Sequence, residues 1–210
     1  MAIRARLLAA AGVIGPCAFI ADWAILGARA RNYSPVSDAI SELARLHAPT
    51  RPAMTAGFLV FGAALPTYAI ELRSSLPGPA WRFAAANGVA TLGVAAFSLG
   101  TPTAGDIHAT FAGLAYASLA ATPIVASAAL LRRGGQRDKA LARTSIAIGL
   151  ACAAALVTSV VGPDHVHGLW QRIGLTIGDV WIIVSAISML LDNERAARPA
   201  ASGQPIDPAG

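Results

Sequence analysis

Tyr33-Ser-Pro-Val-Ser-Asp38-Ala-Ile-Ser-Glu42-Leu-Ala-Arg-Leu-His47 is the one long polar interval in a chain that otherwise runs from one apolar stretch to the next. Ser34 ahead of Pro35 has the form of a helix start, an N-cap hydroxyl before a residue whose fixed φ suits the first turn. From there Val36, Ile40, Leu43 and His47 share one helical face, while Asp38, Ser41, Glu42 and Arg45 share the other. About thirteen residues cannot cross a bilayer, so the spacing predicts a short amphipathic helix that lies on a membrane surface or re-enters it.

The rest of the chain says that a membrane is there. Of 210 residues, 55% are hydrophobic and 13% charged, and the mean hydropathy is +0.58. Soluble domains carry about a quarter charged residues, so the composition excludes one and predicts an all-α polytopic membrane protein. A net charge of +5 would ordinarily raise nucleic acid as a partner. Here the basic residues are scattered between apolar segments with no aromatic-interleaved patch, so nucleic acid is excluded and membrane lipids are the expected partners. Cys17 and Cys152 both fall inside apolar runs and read as small buried packing residues.

Six segments are apolar and long enough to span, at about 7–28, 54–74, 80–100, 108–131, 141–162 and 169–191, each near the ~20 residues that a ~30 Å hydrocarbon core requires. Together they make a transmembrane domain over residues 1–194. Residues 195–210, with Pro199, Pro205 and Pro208 among small side chains, read as a disordered cytoplasmic tail. Eleven basic residues flank one side of these spans; only Arg29, Arg31, Arg45, Arg51 and Arg172 lie on the other. By the positive-inside rule both termini are cytoplasmic and the Tyr33–His47 loop is outside, in a bacterial cytoplasmic membrane. A cleaved leader is the alternative for the first run, since Ala28-Arg29-Ala30 has the form of a cleavage site. The run's 22 residues exceed the usual apolar core and Asp22 interrupts it, which favours a retained span. Pro16, Pro66 and Pro123 fall within spans and should kink them.

The acidic residues and histidines sort by side. Asp38, Glu42, Asp106 and Asp164 are outside, and so are all four histidines, His47, His108, His165 and His167. Glu71, Asp138, Asp192, Glu194 and Asp207 are inside, among basic residues, and read as solvated charge. Two outer junctions repeat the order Gly, Pro, Asp, His, one ending at His108 and the other at His167; related hairpins and coincidence both account for that. The chemistry this set permits is acid–base catalysis by Asp38, Glu42, Asp106, His108, His165 and His167, with Ser41, Gln171 and Arg172 binding substrate. His108, His165 and His167 with a carboxylate could instead hold a divalent metal with an open position for water. Plain loop and cap chemistry is the third reading. Asp22, roughly 9 Å below the outer boundary, and Asp179, roughly 15 Å deep, are carboxylates within the membrane. Each is costly there and needs a partner on the bundle side. Arg172 shares a helix face with Asp179 and could reach Asp22 or the acidic face of the loop. Asn87 reads as a helix–helix contact.

A resemblance can now be stated. Tyr33-Ser-Pro-Val-Ser-Asp38-Ala-Ile-Ser41-Glu42-Leu, followed by Met54-Thr-Ala-Gly57-Phe, resembles the bacterial and archaeal membrane family catalogued as domain of unknown function 998. Pro102 with Asp106-x-His108, and Gly168-Leu-Trp170-Gln-Arg172-Ile-Gly, fit that family more loosely, over roughly residues 8–192. The resemblance implies a six-helix integral membrane protein and brings no activity with it. Three function classes remain open. One is an enzyme on a lipid or lipid-linked substrate, by acid–base or metal-assisted chemistry. The second is a small transporter or proton-coupled carrier using Asp22 and Asp179. The third is an accessory or sensory subunit docking a membrane-protein partner or a second copy of itself. Reporter fusions after residues 78, 136 and 200 should read cytoplasm and those after 48, 104 and 166 the outside, as the basic asymmetry requires. A cytoplasmic signal at residue 48 would invert the topology.

Overall fold

A computed structural model describes residues 2–101 and 104–197. Among these residues there are six α-helices and no strand: α1 (Ala2–Arg29), α2 (Arg51–Ser75), α3 (Ala80–Ala96), α4 (Ala104–Arg133), α5 (Gln136–Val161) and α6 (His167–Ala197). The expected disordered tail from 195 is helical as far as Ala197; residues 198–210 and the Pro102–Thr103 junction lie outside the described residues. Five helices are long and apolar enough to cross a membrane. The exception, α3, has 17 residues, about 25 Å at 1.5 Å per residue. It ends at Ala96, four residues before the expected boundary.

Each helix packs on the next in sequence, and α6 closes on α1, so the six form one ring. Its outer surface is apolar on every helix, with Ile14, Leu59, Val89, Leu114, Val157 and Val184 all exposed. The buried positions include Asn87, Thr91, Ser118, Thr122, Ser145 and Asp179. Apolar residues outside with polar residues inside suit a lipid solvent, in which only a neighbouring helix can satisfy a polar group. This is a multi-pass membrane protein. The three prolines expected within spans, Pro16, Pro66 and Pro123, each lie inside a continuous α-helix.

The Tyr33–His47 loop departs from the expected amphipathic helix. It contains a five-residue 3-10 turn, Ile40–Ala44, preceded by a separate turn at 34–38. An α-helix would give the Ile40 N–H to the carbonyl of Val36. That carbonyl instead accepts from Leu169 N at 2.8 Å, and Ile40 N donates to Gln171 Oε1 at 2.7 Å. Bonds to α6 have displaced the local ladder. Asp38 and Ser34 reinforce the break: Ser34 N donates to Asp38 Oδ2 at 2.8 Å and Asp38 N to the Ser34 carbonyl at 2.7 Å, the backbone competition typical of these side chains. Ile40 and Leu43 are buried as the pattern predicts, whereas Val36 is 46% exposed and His47 turns outward at φ 69°.

Two further expectations change. Cys17 is exposed on the lipid-facing surface, and only Cys152 is buried. Glu71 is not solvated: it is 5% exposed, accepting from Ser75 Oγ at 3.0 Å and Asn193 Nδ2 at 3.4 Å.

Small residues bring the backbones together, most closely between α2 and α3. A Cβ on Gly88 would lie 2.7 Å from the Gly62 carbonyl oxygen and would overlap the Pro66 ring. Neither neighbour is a flexible side chain, so Gly88→Ala should destabilise the protein by about 1–3 kcal/mol. Thermal unfolding in detergent checks this. Gly113→Ala is the control: nothing lies within 4 Å of its added methyl, and its melting temperature should hold or rise.

Candidate functional site

The first loop straps across one end of the ring, where α1, α3 and α5 finish and α2, α4 and α6 begin; we call this the loop end. Leu46 N donates to the Leu99 carbonyl at 2.8 Å, tying the strap to the α3–α4 junction, and the Leu169–Val36 bond ties it to α6. Between these ties sits Arg172, 7% exposed. Its Nη1 donates to the carbonyls of Pro35 at 2.7 Å, Asp38 at 2.9 Å and Gly168 at 2.9 Å. Its Nη2 donates to the Tyr33 hydroxyl, and the guanidinium lies 5.4 Å from the Trp23 ring centre and 5.5 Å from that of Tyr33. The planar fork and weak hydration of arginine suit such a cage. Among the described residues the ion pairs are Glu42–Arg45 and Asp192–Arg195, so Arg172 is a buried cation held by carbonyl dipoles and ring faces. Burial pushes the Tyr33 phenol above its ordinary value, and the Arg172 charge opposes that.

Arg172 therefore reaches neither Asp22, Asp179 nor the acidic side chains of the loop. It is also poorly placed to bind substrate, because its terminal nitrogens already hold the strap. Gln171 is occupied in the same way. Its Oε1 takes the Ile40 N–H and its Nε2 donates to the Tyr116 hydroxyl, so it is a strut from strap to α4.

The strap divides two spaces. Outside it lies an open pocket of about 830 Å³ whose lining includes Arg29, Arg31, Tyr33, Asp38, Glu42, Arg45, Asp164 and His167. Beneath it, inside the ring, is a cavity of about 50 Å³ reached by Ser41, Asn87, Thr91, His108, Tyr116 and Gln171, with Phe19, Phe58 and Phe61 among its apolar walls. Asp38, Glu42 and His167 are thus brought together in the outer pocket. Ser41 and His108 are brought together in the inner one. Asp106 and His165, both exposed, line neither. The histidines do not converge as a metal site requires, and among the described residues no three metal-ligating side chains are grouped closely enough to hold an ion. No step through a metal follows from this arrangement.

His108 and His167 do share one device. Each sits at the start of a helix and puts Nδ1 against a carbonyl at the end of the helix before it, His108 with Phe97 at 2.8 Å and His167 with Ser159. A carbonyl only accepts, so Nδ1 carries a proton, and in the neutral form of each ring Nε2 is the remaining lone pair. The repeated Gly, Pro, Asp, His order does not fall on matching positions: Asp106 and His108 lie inside α4, whereas Asp164 belongs to a 3-10 turn and His167 begins α6. Asn87 links α3 to α4 as expected, Nδ2 donating to the Ala115 carbonyl at 2.7 Å. Asp22 places Oδ2 against the backbone of Gly57, and that oxygen has no hydrogen-bond partner. Asp179 is wholly buried and neither of its oxygens has one. Sequence reasoning missed Trp23, Tyr116, Arg29 and Arg31; an aromatic or arginine at a span boundary was the available signal for all but Tyr116.

The cage sets an expectation for the strap. Replacing Arg172 with Met leaves the Pro35 and Asp38 carbonyls of the strap unpaired, while the Gly168 carbonyl keeps its place in the α6 ladder, at a cost of about 2 kcal/mol. Arg172→Lys should restore little, since one ammonium cannot reproduce the fork. Gly168→Ala should act like Arg172→Met, because its methyl would meet the Pro35 carbonyl oxygen at 2.8 Å. In all three, hydrogen exchange at Ile40 and Leu46 should accelerate while the middles of α2 and α4 stay protected. Uniform loss of protection would mean that the cage supports the whole bundle rather than the strap.

The family model described as Protein of unknown function (DUF998) matches residues 13–188, most of the chain. Searches of curated proteins and of solved structures each returned no match. The matched region runs from within α1 to within α6 and includes the strap, both cavities and the Arg172 cage, so the chain belongs to the DUF998 family.

Proposed function

We propose that the protein binds the anionic headgroup of a lipid or lipid-linked molecule in the outer pocket and acts on it by acid–base chemistry. The observation that carries this reading is the pairing of free cations with proton-transfer groups in one open space. Arg29 and Arg31 are exposed and form no ion pair among the described residues. They line the same pocket as Asp38, Glu42, Asp164 and His167. Arginines suit phosphate-like groups, and the free Nε2 of His167 suits a general base.

In this reading the chain spans the membrane six times. Although short, α3 packs between α2 and α4 and exposes Val89 outward, so it belongs at the depth of its neighbours, with modest thinning absorbing the mismatch. The basic asymmetry puts both termini in the cytoplasm and the pocket at the outer leaflet of a bacterial cytoplasmic membrane. A proton-coupled carrier is the second reading, favoured by one observation: the fully buried, unpartnered carboxyl of Asp179. There Asp179→Asn would abolish transport and leave folding intact.

The test is lipid retention. Protein released from vesicles of equal phosphatidylglycerol and phosphatidylcholine and weighed by native mass spectrometry should keep the anionic lipid about tenfold more often, a difference of about 1.4 kcal/mol. Arg29→Gln with Arg31→Gln should remove the preference. His167→Gln should keep it, since the imidazole acts after binding. Equal retention of both lipids by the unaltered protein would end the headgroup reading.

A further inference from the structure

The inner cavity has its own hydrogen-bonding code, which can be read group by group. Asn87 fixes one end of its amide on the Ala115 carbonyl. That partner only accepts, so the NH2 faces it and Oδ1 is the other end, assigned by the network. This Oδ1 is buried and has no partner, on a residue that is 2% exposed. His108 spends Nδ1–H on Phe97 and leaves Nε2 as an acceptor. Tyr116 accepts from Gln171, so its own O–H proton remains to be given. The Ser41 hydroxyl makes no hydrogen bond among the described residues, and Thr91 gives its proton to the Asn87 carbonyl at 2.9 Å, which leaves its oxygen able only to accept. The unspent groups are three acceptors, one donor and one hydroxyl that can be either, and no Asp, Glu, Lys or Arg is among the lining residues.

We propose that this cavity is a binding site for one small neutral hydroxylic molecule, an alcohol of two or three carbons in size. An O–H donates to Asn87 Oδ1 or His108 Nε2 and its oxygen accepts from Tyr116, which satisfies groups that are expensive to leave unpaired in a dry interior. A carbonyl compound offers no donor and leaves Asn87 orphaned. A carboxylate or ammonium finds no counter-charge. Water satisfies the polar half but not the rest: Phe19, Phe58, Phe61, Val94 and Leu175 make the remaining wall apolar, which suits the carbon end of an alcohol. The volume, about 50 Å³, has room for roughly three or four water-sized groups, as many heavy atoms as such an alcohol has. Ile40 and Ser41 belong to both strap and lining, so the strap forms one wall of the site. The site uses none of the residues assigned to headgroup binding and stands or falls apart from that reading.

Ethanol and dimethyl ether test it, being isomers that differ in the O–H. In the full chain in lipid nanodiscs with ring-15N histidine, the His108 Nε2 resonance should shift saturably with ethanol. Dimethyl ether should bind at least tenfold more weakly. Asn87→Leu should abolish the saturable shift, and so should Ala112→Leu, which takes up cavity volume without touching a polar group. The isomer comparison is made on the unaltered protein, so it decides the matter even if both variants misfold. Equal binding of the two isomers would make the cavity an apolar void, and a response that never saturates would leave it to water; either result overturns the proposal.

Discussion

A guanidinium held by three backbone carbonyls and two aromatic rings is the interaction on which the loop end depends. Arg172 binds Pro35, Asp38 and Gly168 at their carbonyl oxygens and so converts a stretch of chain without a regular ladder into a fixed wall. The desolvation cost of a buried cation is several kcal/mol, and here it is offset by dipoles rather than by a carboxylate. That choice has a structural use. A carboxylate partner would fix one side chain, whereas carbonyl partners fix backbone at two places in the strap and one at the head of α6. Gly168 completes the arrangement by letting the strap's carbonyls approach the α6 backbone.

The wall separates two spaces through neighbouring residues. Ser41 and Glu42 are consecutive in the turn Ile40–Ala44 and so point in different directions about its axis. In the 3-10 turn, with three residues per turn, Ser41 faces inward beside His108 and Glu42 faces outward beside His167. One short turn therefore borders a large charged compartment on one side and a small uncharged one on the other. The two hairpin histidines are divided accordingly, one to each compartment, though each is held by the same kind of carbonyl bond.

The helices were legible because apolar runs of bilayer length have few other uses, and the gathering of polar groups at one end was legible because so few polar groups exist. The end of α3 was not, since Phe97-Ser-Leu99 continues the apolar run beyond the last helical residue, Ala96. Nor was the strap. Its local pattern favours an amphipathic helix, and what overrides it is a partner 131 residues away, the Gln171 side chain that takes the Ile40 N–H. A pattern read along the chain contains no such term. The same limit hid the role of Arg172, whose face on α6 was correctly placed but whose partners are main-chain atoms that no residue type announces.

The missing counter-ion of Arg172 has one more consequence. A cation neutralised by a carboxylate looks from a distance like a weak dipole; a cation solvated by carbonyls still presents nearly a full unit of charge. Tyr33 and Asp38 belong both to its cage and to the wall of the open pocket, so this charge lies directly behind that wall. Surface arginines such as Arg29 and Arg31 lose most of their reach within a Debye length of about 8 Å at physiological ionic strength, while a buried charge is screened far less. The loop end thus holds one cation that dissolved salt screens less than it screens Arg29 and Arg31, set behind a wall that also carries the carboxylates of Asp38 and Glu42.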